Sequence, residues 1–171
     1  MTDVAGLLLT GGASARMGRD KGALFAAALA ERLVAALPQS YEVGPGWTTL
    51  PVVADAGIGP LGALAAAAPV VSGQDVVVVA CDMPFVTAEL LSVLAAAPGT
   101  AVPVADGHAQ TLCARYAAAD VARAPALVAA GARSMRDLLD GTEVAWLHDL
   151  PFDFDDVDTP DDLARLGLVW P

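Results

Sequence analysis

The sequence is poor in positive charge, and Lys21 is its only lysine. Nine Lys and Arg residues stand against 20 Asp and Glu, which gives a formal net charge of −11 and a sequence pI near 4.2. Such a surface repels polyphosphate chains, so DNA and RNA are excluded as expected partners. Three of the nine cationic residues, Arg16, Arg19 and Lys21, fall within six consecutive positions. This stretch is therefore the candidate site for a small phosphorylated ligand.

Long hydrophobic runs and cysteines are also scarce. Hydrophobic residues make up 56% of the chain, but Gly, Pro or charge interrupts every apolar run well before the roughly 18 residues of a membrane span. We therefore expect no membrane partner, and the absence of a basic and apolar leader predicts a cytoplasmic protein. Cys81 and Cys113 lie far apart without metal-ligand spacing. Both are expected to be buried in a reducing compartment.

Strand-like and helix-like segments alternate along the first half of the chain. Predicted strands cover residues 4–10, 41–43, 51–54 and 75–81, and predicted helices cover residues 24–37, 61–68 and 88–97. This alternation indicates a single-domain, three-layer α/β/α fold with a mostly parallel mixed sheet. Because ligands of such sheets bind where parallel strands end, the loops at residues 11–21, 55–62 and 82–84 are expected to converge there.

The second half is less regular. Residues 100–104 and 109–116 are predicted as two strands joined by a turn at Asp106-Gly107. Helices are predicted at residues 118–130 and 134–140, a strand at 143–147, and a last helix after an acidic segment. A length of 171 residues fits one domain.

The loop after the first strand has the composition of a phosphate-binding loop. Gly11 and Gly12 allow close approach of the backbone, while Arg16 and Lys21 supply charge. The spacing differs from Gly-x-x-x-x-Gly-Lys-Ser/Thr and from Gly-x-Gly-x-x-Gly, which argues against a kinase and a dinucleotide oxidoreductase. The alternative is an ordinary strand-to-helix loop with solvated basic residues.

Carboxylates follow two of the predicted strands. Asp82 comes after a run of four valines, where a ligand of Mg²⁺ serving nucleotide phosphates would lie, and Asp55 occupies an equivalent position. The alternative for each is a turn or helix-capping role. The tail between residues 153 and 162 contains six Asp, of which Asp156 or Asp158 is a candidate for a further metal ligand.

These stretches together resemble the molybdenum cofactor guanylyltransferase family, within the GT-A-like (nucleotide-diphospho-sugar-transferase-like) nucleotidyltransferases. The leading stretch, LTGGASARMGRDK at residues 9–21, is similar to the family's Leu-Ala-Gly-Gly-x-Ser-x-Arg-Met-Gly-x-Asp-Lys signature, with Thr10 in place of Ala. The remaining matches follow in the family's order: Asp55, Gly59-Pro60-Leu61-Gly62, Cys81-Asp82-Met83-Pro84-Phe85, Gly107, Gln110 to Tyr116, Gly131-Ala132-Arg133-Ser134 and Asp156 to Leu163.

The resemblance implies transfer of GMP from GTP to the terminal phosphate of molybdopterin, with release of pyrophosphate and with Mg²⁺ as cofactor. Residues 1–97 would form the nucleotide half and residues 98–171 the acceptor half. The catalytic residues would be Arg16, Lys21 and Asp82, the last as the Mg²⁺ ligand. The nucleotide-binding residues would be Leu9, Thr10, Gly11, Gly12, Lys21, Asp55, Gly59, Pro60, Leu61 and Asp82. The acceptor-binding residues would be Gly107, Gln110, Thr111 and Arg133.

The chain departs from the family pattern in two places. Asp156-Val157-Asp158-Thr159-Pro160 replaces the usual Asn-x-Asn-Thr-Pro, and the short region 26–51 lacks an Asn-containing strand end. Three alternatives therefore stay open: a cytidylyltransferase using CTP, a transferase for another phosphorylated acceptor, and a non-catalytic nucleotide-binding module. The sequence identifies neither protein partners nor an oligomeric state.

Overall fold

A central mixed sheet organises the part of the chain that the computed structural model describes, which is residues 3–11, 19–157, 160–165 and 167. The strands are β1 (Val4–Leu9), β2 (Ser40–Val43), β3 (Val52–Val53), β4 (Asp75–Ala80), β5 (Thr100–Ala105), β6 (His108–Ala109), β7 (Cys113–Tyr116) and β8 (Val144–Leu147). Their order is β3-β2-β1-β4-β7-β5-β6, with β8 paired to β5. Strands β1 to β4 run parallel, while β7 is antiparallel to both β4 and β5.

Helices cover both faces of this sheet. They are α1 (Arg19–Ala36), α2 (Pro60–Ala67), α3 (Ala88–Ala96), α4 (Ala118–Ala129), α5 (Met135–Leu139) and α6 (Pro160–Arg165). One hydrophobic cluster joins the sheet to α1 and α3, and the other joins it to α2, α4 and α5. The predicted three-layer α/β/α fold with a mixed sheet is confirmed.

Strand β4 shows why the sheet lies in the middle layer. Val76, Val77, Val78 and Val79 are all fully buried, and successive side chains of a strand point to opposite faces. Val76 and Val78 accordingly join the cluster under α2 and α4, while Val77 and Val79 join the cluster under α1 and α3. Burying each such side chain stabilises the fold by roughly 1.5–3 kcal/mol.

The single strand predicted at residues 109–116 is wrong, because the structure has two strands there. β6 pairs with β5 through Val104 and Ala109, whereas β7 lies between β4 and β5 and pairs with β4 through Val79 and Cys113. The chain changes neighbours in between, where the Cys113 N–H donates to the Gln110 carbonyl at 3.0 Å. The two strands occupy different places in the sheet, and hydropathy alone does not reveal the break between them.

Cys81 and Cys113 are both buried, as predicted, and burial raises the pKa of Cys113 to about 12. Among the described helices, none combines the length and apolar character needed to cross a membrane.

Candidate functional site

The ends of the first four strands meet at one edge of the sheet. The Thr10 N–H donates to the Val43 carbonyl at 3.1 Å, and the Gly44 N–H donates to the Val53 carbonyl at 3.0 Å. The Cys81 N–H donates to the Leu9 carbonyl at 3.0 Å. Residues that follow β1, β2, β3 and β4 are thereby held side by side, so the predicted convergence of loops is observed as far as the described residues extend.

Gly11 and Asp55 are in direct contact at this edge. A side-chain carbon built at Gly11 would overlap the Asp55 carboxylate, so only glycine fits there without displacing that carboxylate. The other carboxylate oxygen of Asp55 accepts a hydrogen bond from the Gly57 N–H at 3.0 Å. Two residues predicted to bind the nucleotide therefore adjoin, although 44 positions separate them in the sequence.

The Gly59-Pro60-Leu61 turn meets the backbone of Arg133. Gly59 adopts a positive φ of 99° before α2, and a side-chain carbon there would lie 2.8 Å from the Arg133 carbonyl oxygen. That carbonyl accepts a hydrogen bond from the Leu61 N–H at 3.2 Å. The Arg133 guanidinium donates to the carbonyls of Val128 and Ala132. The structure thus brings the Arg133 backbone to the predicted nucleotide turn, while its side chain lies at the end of α4.

Asp82 lies in a turn that is held from two sides. On one side, the Arg32 guanidinium of α1 donates to the carbonyls of Pro84, at 2.6 Å, and Val86, at 2.9 Å. On the other, the buried Val157 donates its N–H to the Asp82 carbonyl at 2.8 Å. The acidic tail is therefore attached to the turn that carries the predicted metal ligand, with Asp156 next to the attachment point.

Several predicted residues cannot be placed in this geometry. Gly12, Arg16 and Asp158 lie outside the described residues, and Lys21 is described only as a position in the first turn of α1. Within residues 3–11, 19–157, 160–165 and 167, no three His, Cys, Asp or Glu side chains form a group suited to a metal ion.

Two of the predicted acceptor residues, Gln110 and Thr111, lie near the end of β4. The Ala80 N–H donates to the Leu112 carbonyl at 2.9 Å, which places Gln110 and Thr111 beside the turn of Asp82. Gln110 also lines a cavity of about 320 Å³, together with Asp106, Phe152 and Asp153. Gly107 has a φ of 76° in the turn between β5 and β6, so its role in shaping that hairpin is conformational.

Glu42 is a buried residue of this edge that the sequence analysis missed. Its carboxylate accepts hydrogen bonds from the Thr10 hydroxyl at 2.6 Å, from the N–H groups of Gly46, Trp47 and Thr48 at 2.7–2.8 Å, and from the Thr48 hydroxyl at 2.8 Å. Burial raises the pKa of Glu42, but the hydrogen bonds outweigh burial and hold that pKa below its ordinary value. The available signal was a Glu inside a strand, followed by a glycine-rich segment that offers backbone donors.

Comparison with known proteins adds the family relationship. The pattern of the MobA-like NTP transferase domain matches residues 6–147. The chain belongs to this family. It is similar to the molybdenum cofactor guanylyltransferase of Rhodobacter capsulatus, with 33% identity over 95% of this chain and 94% of that protein.

Two solved structures share the fold of this MobA-like protein. Molybdopterin-guanine dinucleotide biosynthesis protein A from Archaeoglobus fulgidus has a TM-score of 0.72 at 24% identity, over 94% of this chain and 95% of that one. Rv0371C from Mycobacterium tuberculosis H37Rv, whose crystal structure is a complex with manganese, has a TM-score of 0.63 at 20% identity, over 96% and 97% of the two chains. At these identities the likeness concerns the fold alone.

Proposed function

We propose that this MobA-like chain transfers GMP from GTP to the terminal phosphate of molybdopterin and releases pyrophosphate. The proposal follows from family membership, from the names of relatives that match nearly the whole chain, and from the geometry of the sheet edge. The acceptor phosphate attacks the α-phosphorus of GTP, so no protein nucleophile is needed.

The observation that carries the proposal is the meeting of both halves of the chain at the end of β4. Asp82 belongs to the proposed nucleotide half, residues 1–97, and its carbonyl accepts the Val157 N–H at 2.8 Å. Ala80, two residues before Asp82, donates to Leu112 at 2.9 Å. Residues 98–171, the proposed acceptor half, are thus attached once to the last residue of β4 and once to the turn of Asp82, and direct transfer requires both substrates to be bound side by side.

In this proposal the chain binds the nucleotide with Leu9, Thr10, Gly11 and Gly12, together with Asp55 and the Gly59-Pro60-Leu61 turn. Lys21 and Arg16 place positive charge on the phosphate oxygens where negative charge develops. Gly107, Gln110, Thr111 and Arg133 contact the acceptor. Positioning and electrostatic stabilisation supply the rate enhancement.

The Asp82 carboxylate has the chemistry of a Mg²⁺ ligand, because carboxylate oxygens are the hard ligands that Mg²⁺ prefers. Asp82 would hold the ion, and Asp156 or Asp158 would provide a further ligand. The attachment of Val157 to the Asp82 carbonyl supports this pairing, since it keeps the backbone of Asp156 close to the turn of Asp82. The bound ion would supply charge neutralisation on the phosphate oxygens.

The reaction is tested by incubating the purified protein with Mg²⁺, molybdopterin and each of the four nucleoside triphosphates, followed by measurement of pyrophosphate. We expect release with GTP that depends on both molybdopterin and the metal ion. Release with CTP alone would overturn guanylyl transfer in favour of a cytidylyltransferase. Release from GTP only with another phosphorylated acceptor would overturn the assignment of molybdopterin.

A second experiment separates an enzyme from a nucleotide-binding module. Asp82→Asn is expected to lower turnover by about 100-fold or more, because loss of a metal ligand removes several kcal/mol of transition-state stabilisation. The matched control, Asp140→Asn, changes an exposed residue after α5 and should leave turnover unchanged. If wild type and Asp82→Asn both bind GTP and neither releases pyrophosphate, the chain is a binding module.

A further inference from the structure

Glu42 is a fully buried carboxylate whose hydrogen bonds come from neutral groups. Two threonine hydroxyls and three backbone N–H groups donate to it, at distances of 2.6–2.8 Å. Glu42 itself has no exposed surface. A buried anion is tolerated only when such donors replace water. The five donors therefore fix residues 46–48 and Thr10 around one point.

The hydrogen-bond network of Glu42 adjoins the candidate nucleotide loop through Thr10. Thr10, which donates to Glu42 Oε1, is followed directly by Gly11. Gly44, at the start of the segment that Glu42 holds, lies so close to residues 10 and 11 that a side-chain carbon there would be 2.9 Å from the Gly11 nitrogen and would overlap the Thr10 hydroxyl. Gly11 in turn abuts the Asp55 carboxylate. A shift of residues 44–48 would thus be transmitted to Gly11 by contact.

We propose that Thr10 and Glu42 are positioning residues for the nucleotide, which fix the backbone of Gly11 against residues 44–48. The inference rests on the proposed function, since it takes the loop at Gly11 to bind a nucleoside triphosphate. It assigns the pair to nucleotide binding rather than to the chemical step. Loss of the pair raises the Kd and KM for the nucleotide and leaves the KM for the acceptor unchanged.

The test compares substitutions that keep shape and remove one interaction. Glu42→Gln replaces one carboxylate oxygen with an amide N–H₂, which then faces N–H and O–H donors and cannot accept from them. Because the hydrogen bonds to a charged acceptor are lost, we expect the Kd for GTP to rise about tenfold. Thr10→Val removes only the hydroxyl and should raise the Kd about threefold to tenfold. Thr10→Ser restores a hydroxyl at the same place, and it should recover most of the affinity lost in Thr10→Val.

Thr100→Val is the matched control for stability. The Thr100 hydroxyl donates to Asp120 Oδ2 at 2.5 Å, so it is also a buried threonine bonded to a carboxylate. It stands at the start of β5, at the opposite edge of the sheet. Thr100→Val should lower the melting temperature by a similar amount without changing the Kd for GTP.

Binding is measured without acceptor, so the result does not depend on transfer. If wild type binds CTP more tightly than GTP, the same variants are compared with CTP. The positioning role of Thr10 and Glu42 is then tested even though guanylyl transfer has been contradicted. The inference is overturned if Thr10→Val matches Thr100→Val, with lower melting temperature and a Kd within about twofold of wild type. It is also overturned if the KM for the acceptor rises as much as the KM for the nucleotide. Should Glu42→Gln fail to fold, the Thr10→Val and Thr10→Ser pair decides.

Discussion

Two buried carboxylates at opposite edges of the sheet are stabilised in different ways. Glu42, at the edge where β1 to β4 end, accepts hydrogen bonds from hydroxyls and backbone N–H groups. Asp75, at the start of β4, pairs with the Arg115 guanidinium and accepts the Ala118 N–H at 2.8 Å. One anion is bound by neutral loop donors, and the other by a cation and a helix N-terminus.

We call the edge that contains Glu42 the binding edge, and the edge that contains Asp75 the structural edge. Arg115 also donates to the Ala95 carbonyl, so its guanidinium joins β7, β4 and the end of α3. These are regular elements, and the Asp75–Arg115 pair stabilises their packing. The donors to Glu42 belong instead to residues 10 and 46–48, which flank the candidate nucleotide loop. Substitutions at the two edges should consequently affect different measurements.

The largest expected effect on activity concerns Lys21, in the first turn of α1. Lys21→Arg keeps the charge but replaces a compact ammonium with a planar, forked guanidinium. We expect kcat/KM for GTP to fall about 100-fold without a change in melting temperature, because in the proposed function this group contacts the phosphate oxygens. Arg136→Lys, on an exposed side chain of α5, is the reciprocal control and should keep full activity. Near-normal turnover of Lys21→Arg would show that charge alone suffices.

At the structural edge, Arg115→Met should reduce the free energy of unfolding by about 3–5 kcal/mol, since it leaves the buried Asp75 charge without its cation. Urea unfolding measures this loss. The double variant Arg115→Met with Asp75→Asn should recover part of the lost stability, because the uncompensated charge is gone. The Kd for GTP should stay within about twofold of wild type at a protein concentration and temperature where the variant is folded. A weaker Kd in the folded variant would contradict the separation of the two edges.

Arg32 should show an intermediate effect, because it acts on the turn of Asp82 from a helix. Arg32→Met removes the donor to the Pro84 and Val86 carbonyls. We expect about a tenfold loss of kcat and a higher Mg²⁺ concentration for half-maximal activity. The comparison variant Arg136→Met, also on a helix surface, should change neither quantity. A loss of kcat without any change in the metal requirement would show that Arg32 acts elsewhere than on Asp82.

The sequence was sufficient to predict the strand ends at this edge. Continuous apolar runs identify β1 and β4, and the residues that directly follow a buried parallel strand must lie at its carboxyl edge. Asp82 and Gly11 could be placed in this way. The adjacency of Asp55 to Gly11 followed from the same rule, although their direct contact did not.

The sequence did not predict contacts between residues that lie far apart along the chain. Thr10 and Glu42 are 32 positions apart, and a Glu in a weakly predicted strand gives no sign of which donors surround it. Arg32 is similar, since its acceptors are backbone carbonyls more than 50 residues away. The break between β6 and β7 depends on where each strand pairs in the sheet. These features depend on tertiary packing, which local periodicity does not encode.

The smallest expected effect is a pH dependence that belongs to the binding edge. The folded-state pKa of Glu42 lies below its ordinary value of 4.5, so the ionised group stabilises the fold at pH values above 4.5. This contribution is lost as the pH falls through the lowered folded-state pKa. Glu42→Gln cannot titrate at this position, so the stability gap between wild type and Glu42→Gln should narrow as the pH falls from 6 to 3. Urea unfolding of both proteins at several pH values measures the gap, because the other carboxylates titrate in both and cancel. A gap that stays constant or widens toward low pH would mean that the hydrogen bonds around Glu42 do not depend on its charge.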